Sequence, residues 1–196
     1  MVTPWSTQPG PTMPFFDPYS LTLNGQPTYA GCGPVALGMI TGAYHNQVPA
    51  WQALSPQGLI DANAGLFTER GIGIHQFDDD LRAARYSPRT YMGTDWETLQ
   101  TVVNQGPAVA YVEWEWKPGN AAHGVVVTGA NDKEVHVADP GTGTEYVVPT
   151  PQFQQSWKSQ GNVLYGVEPF WKLAKGKQEK GAPSPPPWKV ERKQGR

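Results

Sequence analysis

Cys32-Gly33-Pro34-Val35-Ala36-Leu37-Gly38-Met39-Ile40-Thr41-Gly42-Ala43-Tyr44-His45 is the stretch on which the reading of this chain turns. Val35, Ala36, Met39, Ile40 and Ala43 recur at the three- and four-residue spacing of a helix. Pro34 is tolerated in such a helix only in the first turn, where its missing N–H leaves no hydrogen bond unmade. Cys32 therefore stands at a helix N-terminus, where unpaired N–H groups and the helix dipole favour thiolate over thiol. The small residues of Ala30-Gly31-Cys32-Gly33-Pro34 leave room for a substrate backbone to approach the sulfur.

Downstream, the helical period predicts further helices over 56–62, 74–85 and 96–104, the last with Thr94 and Glu97 as a capping box and Gly106 as its stop. After Gly106 the period changes to two. Residues 108–114, 123–128, 134–138, 145–148 and 163–167 read as short strands separated by Gly, Pro, Asn and Asp. Thr150 and Pro151 read as the cap and first turn of a helix through Trp157. Helices first and an antiparallel sheet afterwards make an α+β chain.

The ends differ from this body. Of 196 residues 38% are apolar, and no run approaches the ~20 residues a helical membrane span needs. Residues 1–20 form an extension rich in Pro and aromatics, 21–171 the main body, and 172–196 a basic, Pro-rich tail whose composition predicts a disordered linker. Eight of the 15 Lys and Arg but only two of the 17 acids lie from Lys172 onward, so the body is acidic and offers nucleic acid no basic field. Met1-Val2-Thr3-Pro4-Trp5 lacks the charged and apolar regions of a signal peptide, which predicts synthesis in the cytoplasm. Cys32 is the single cysteine, so neither an intrachain disulfide nor a Cys-based metal site accounts for it.

A thiolate nucleophile needs a base, and the base a group that fixes its tautomer. His45 and His75 read as solvated surface, and His136 alternates with Val135 and Val137 within a strand. His123 opens the run Gly124-Val125-Val126-Val127-Thr128-Gly129, and the next strand ends in Asp139-Pro140. An antiparallel hairpin brings the start of one strand to the end of the other, so His123 and Asp139 can be neighbours. Gln26, six residues before Cys32 in a segment broken by Pro27, can fold back as an oxyanion donor.

Gln26, five intervening residues, Cys32-Gly33-Pro34-Val35-Ala36-Leu37, then Gly106-Pro107-Ala108-Val109, then 123–129, then Val137-Ala138-Asp139-Pro140: in this order the blocks resemble the C39-like (bacteriocin-processing-type) branch of the papain-like cysteine peptidases. The resemblance implies a papain-like fold, with Cys32 as nucleophile, His123 as base, Asp139 as its orienting partner and Gln26 in the oxyanion hole. It implies a cysteine endopeptidase acting on a peptide or protein substrate, without metal or organic cofactor. The best-known members trim double-glycine leaders as domains of ABC exporters, but this chain has no P-loop pattern, so leader processing is not implied.

A signal-free start, a catalytic body and a basic tail instead resemble the N-terminal peptidase module of some phage lysins. That implies a peptidoglycan peptide as substrate, release to the cell wall, and a tail tethering another module. Two alternatives stay open: a papain-like acyl or peptidyl transferase with the same triad, and a non-catalytic peptide-docking domain with an unreactive Cys32. Trp114 and Trp116, beside the cleft strand, are candidate specificity residues, with packing as the plainer account.

Overall fold

Strand alternation sorts the apolar residues of the sheet into two sets, and each set meets its own helices. In the computed structural model, which describes residues 13–28, 30–47, 52–68 and 72–169, six antiparallel strands run in the order β3-β8-β4-β5-β6-β7. They are β3 (Tyr86–Tyr91), β4 (Ala108–Glu113), β5 (Ala122–Ala130), β6 (Glu134–Asp139), β7 (Thr144–Pro149) and β8 (Leu164–Pro169). Val109, Val126, Ala138, Tyr165 and Val167 pack on one face with α1 (Cys32–Gln47), α2 (Pro56–Ala62) and α3 (Asp78–Ala83). Ala108, Ala110, Val112, Val125, Val127, Val135, Val137 and Leu164 pack on the other, under α4 (Trp96–Gln105) and α5 (Thr150–Ser159). The result is the expected α+β architecture, with a sheet covered on both faces.

The first helix is more enclosed than its spacing suggests. Residues 33–44 are buried all round, not along one stripe. Neighbours approach closely at two glycines: a Cβ at Gly38 would lie 2.8 Å from Pro56 Cγ, and one at Gly42 2.6 Å from Pro14 Cγ. Met13 is itself in this core and Phe16 packs against it, so residues 13–16 cover the helix. The tail from 172 and residues 1–12 lie outside the described part of the chain.

Several local expectations change. The helix expected over 74–85 is a 3-10 turn, Ile74–Phe77, followed by α3, and it ends at Arg85 in the left-handed region (φ 67°). There the chain turns into β3, an edge strand hidden in the sequence by Pro88, which an edge accepts because its absent N–H has no ladder to break. A hairpin of β1 (Thr22–Leu23) and β2 (Gln26–Pro27) also escaped the periodicity, although Asn24-Gly25 is a hairpin signal; both residues have positive φ (52° and 78°). Asp95, not Thr94, caps α4, accepting the Thr98 N–H at 2.8 Å. Thr150 caps nothing, because its hydroxyl donates to the Asn131 carbonyl at 2.7 Å. Among the described residues no helix is long and apolar enough to cross a membrane.

Candidate active site

Cys32 is the first residue of α1, and its partly buried sulfur sits where that helix end meets β5. A Cβ at Gly124 would lie 4.0 Å from the sulfur, whereas one at Gly33 would meet nothing within 4 Å, so the Gly33 flank is open. Burial pushes the thiol up. The hydrogen bond to His123, its positive charge, and the N–H groups of Gly124 and Gly33 outweigh burial and hold Cys32 below the ordinary thiol range.

The imidazole beside the sulfur comes from the sheet. Val126 stands opposite Ala138, which brings Asp139 level with Val125; His123, two residues beyond Val125 and on the same face, is its diagonal neighbour. His123 Nε2 lies 2.6 Å from Asp139 Oδ1, and both side chains are buried. With Nε2 taken by the carboxylate, Nδ1 is the ring nitrogen left to face the sulfur. Burial pushes the imidazolium down, but Asp139 and the Cys32 thiolate raise it to about 9. Burial likewise pushes the Asp139 carboxyl up, while hydrogen bonds from His123, Tyr146 and the Gly141 N–H hold it below its usual range. A thiol drawn down beside an imidazole drawn up favours a thiolate–imidazolium pair, a nucleophile with its proton donor in contact.

The structure thus brings Cys32, His123 and Asp139 together. Gln26 is exposed on β2, and no hydrogen bond joins it to the other three. Gly141 and Tyr146, which the sequence reading did not single out, complete the site together with Trp114, which it named as a candidate specificity residue. Gly141 donates its N–H to Asp139 Oδ1 at 2.7 Å, and a Cβ there would lie 2.6 Å from two carbons of Trp114 and 3.2 Å from His123 Cε1. Trp114 meets the imidazole edge-on, with ring centroids 4.4 Å apart. Tyr146 on β7 donates its hydroxyl to Asp139 Oδ2 at 2.7 Å. The Asp139-Pro140-Gly141 turn was the one signal in the sequence for a close approach at position 141.

Beside this group lies a cavity of about 310 Å³ between residues 15–19 and the loop Gly141, Thr142 and Gly143. Phe15, Phe16 and Tyr19 make its aromatic wall, and Gly141 is shared with the His123 environment. Among the described residues no group of three or more His, Cys, Asp or Glu is arranged to hold a metal ion.

The sequence profile of the Peptidase_C39 like family matches residues 16–165. Three solved structures share the fold. The peptidase domain of Streptococcus ComA, a bi-functional ABC transporter involved in quorum sensing, is 18% identical, with 74% of this chain and 95% of that one covered at a TM-score of 0.56. A double glycine motif protease from an AMS/PCAT transporter, solved in complex with the leader peptide, is 19% identical, covering 83% and 96% at 0.56. A C39-like peptidase described for Bacillus anthracis is 16% identical, covering 78% and 96% at 0.57. No curated protein matches the chain in sequence.

Proposed function

Because this chain belongs to the Peptidase_C39 like family, we propose that it is a cysteine endopeptidase working through Cys32, His123 and Asp139. The observation that carries the proposal is the unbroken line from the α1 N-terminus to β6: a depressed thiol against an elevated imidazole, itself bonded to a carboxylate at 2.6 Å.

In this mechanism the Cys32 thiolate attacks a peptide carbonyl carbon. The developing oxyanion takes hydrogen bonds from the Cys32 N–H and from the carboxamide of Gln26 on the exposed β2. His123 gives its Nδ1 proton to the leaving amine and leaves an acyl-enzyme. Neutral His123 then takes a proton from water as the water attacks the thioester and keeps it as the sulfur departs as thiolate, which releases the carboxylic acid and restores the ion pair. Asp139 keeps Nε2 protonated throughout, so that Nδ1 does the proton transfer.

Peptide is the substrate class to try first, since one structural neighbour holds a leader peptide. The cavity against Phe15, Phe16 and Tyr19 is the place for one of its side chains. The narrower proposal is a peptidoglycan peptide, with the protein made in the cytoplasm, released to the wall, and its basic tail tethering another module. Incubation with a peptide library and with purified cell walls, read by mass spectrometry for new amino termini, tests both levels. Cys32→Ala abolishes cleavage in either case. A Cys32→Ala protein that cleaves as well as wild type overturns the mechanism, and cell walls that yield no new termini overturn the narrower substrate. Gln26→Ala lowers kcat by about 10²- to 10³-fold if the carboxamide reaches the oxyanion.

A further inference from the structure

The Glu113-Trp114-Glu115-Trp116 run folds into a 3-10 turn in which Glu115 and Trp116 are both left-handed, with φ 54° and 58°. Side chains with a Cβ disfavour that region, and two in succession persist only where their surroundings hold them. Here they are held: the Trp114 N–H donates to the Ala121 carbonyl at 2.9 Å, the Asn120 carboxamide donates to the Trp114 carbonyl at 3.0 Å, and the buried Glu113 carboxylate accepts the Gly119 N–H at 2.8 Å. The strained turn gives its two indoles separate partners. Trp114 lies edge-on to His123, while Trp116 points its Nε1–H at the Tyr146 hydroxyl, 3.2 Å away.

An indole N–H only donates, so the Tyr146 oxygen must accept it and turn its own proton elsewhere. That proton goes to Asp139 Oδ2 at 2.7 Å. Tyr146 is placed for this by register: it pairs with Val137, two residues from Asp139 on the same face. Asp139 Oδ1 is already engaged by His123 and the Gly141 N–H. With donors on both oxygens the carboxylate cannot rotate without losing one.

We propose that Tyr146, oriented by Trp116, is a positioning residue that locks the Asp139 carboxylate in the plane that holds His123 for proton transfer. This rests on Cys32, His123 and Asp139 being the reaction centre. The titratable groups that reach Asp139 are His123 from β5 and Tyr146 from β7.

Proton NMR of the full chain tests this without a substrate. A short imidazole–carboxylate hydrogen bond places the His123 Nε2 proton far downfield of the amides, and His123→Ala assigns it by its loss. In wild type the resonance persists on acidification until Asp139 protonates. Tyr146→Phe keeps the ring and removes one donor from the carboxylate, so the resonance is lost at a pH about one unit higher. Trp116→Phe shifts it in the same direction by less, and it decides the question if Tyr146→Phe does not fold. A merely structural role for Tyr146 lowers the thermal midpoint without moving this pH. Unchanged acid titration in the folded variants overturns the lock and leaves the triad standing. A wild-type protein with no such resonance, whose Cys32 alkylates like a free thiol, overturns the triad and the lock with it.

Discussion

Replacing His123 by Ala removes the two largest influences that hold the Cys32 thiol down, its hydrogen bond and its charge. What remains is burial, which pushes the thiol up, against two backbone N–H groups. The variant thiol therefore moves to the free-thiol range or above it. A thiol of pKa ~8.5 is only about 0.3% ionised at pH ~6, whereas the wild-type sulfur keeps its negative charge further into acid. Part of the loss is returned, because each unit of higher pKa raises thiolate nucleophilicity by roughly threefold. The net expectation is a several-fold fall in the alkylation rate at pH ~6, closing and then reversing as both thiols ionise toward pH ~10. Iodoacetamide labelling followed by intact mass reads this directly, since Cys32 is the only cysteine. If His123→Ala labels within about twofold of wild type at pH ~6, the ion pair does not exist and a peptide-docking domain becomes the better account.

Three further outcomes follow from the same geometry. Gly141→Ala forces the Trp114 ring away from His123, because the new Cβ would lie 2.6 Å from two of its carbons; thermal unfolding should show a loss of about 1–3 kcal/mol, with slower Cys32 labelling. The pH dependence of stability should be nearly flat around neutrality in wild type but not in Cys32→Ala. His123, raised in the fold, contributes stability that is full below its unfolded pKa and lost as pH rises through about 9. Cys32, lowered in the fold, contributes stability above its unfolded pKa that is lost as pH falls through its folded value. The two slopes oppose each other; deleting the thiol removes its slope together with two of the causes that raise His123, so the decline that remains lies at lower pH than about 9, measurable by urea unfolding across pH. Ser156→Ala leaves the Glu113 N–H without the hydroxyl it donates to at 2.7 Å in the buried contact of α5 with β4; a cost of about 1–3 kcal/mol should appear as a lower Tm.

What the sequence disclosed and what it hid divide along physical lines. The five sheet strands after Gly106 were legible as short β-branched runs between turn residues; burial on both faces makes such a run continuous, as Val125, Val126 and Val127 illustrate by dividing themselves between two cores. The meeting of His123 with Asp139 was legible because an antiparallel pair fixes its own diagonal neighbours. β3 was not, since Pro88 and the exposed Arg89 and Thr90 break any pattern, and only pairing with β8 makes it a strand. The capping error at α4 reflects two adjacent acceptors, Thr94 and Asp95, between which only backbone geometry chooses. Tyr146 stayed hidden because its task depends on which residue it faces across β6 and β7, a register that the length of the loop between them does not dictate.

The position of β8 has a consequence for how such a chain is made. It is the last described strand, yet it lies between β3 and β4, second from one edge of the sheet. A chain leaving the ribosome amino end first exposes Cys32 with 106 residues still to come before Asp139, and β3 waits for its only described sheet partner until Leu164–Pro169 arrive. Before β5 is made the sulfur has no His123 imidazole drawn against it. The sheet is finished only when β8 slots between two strands that were made before it, so its closure is a late step of folding.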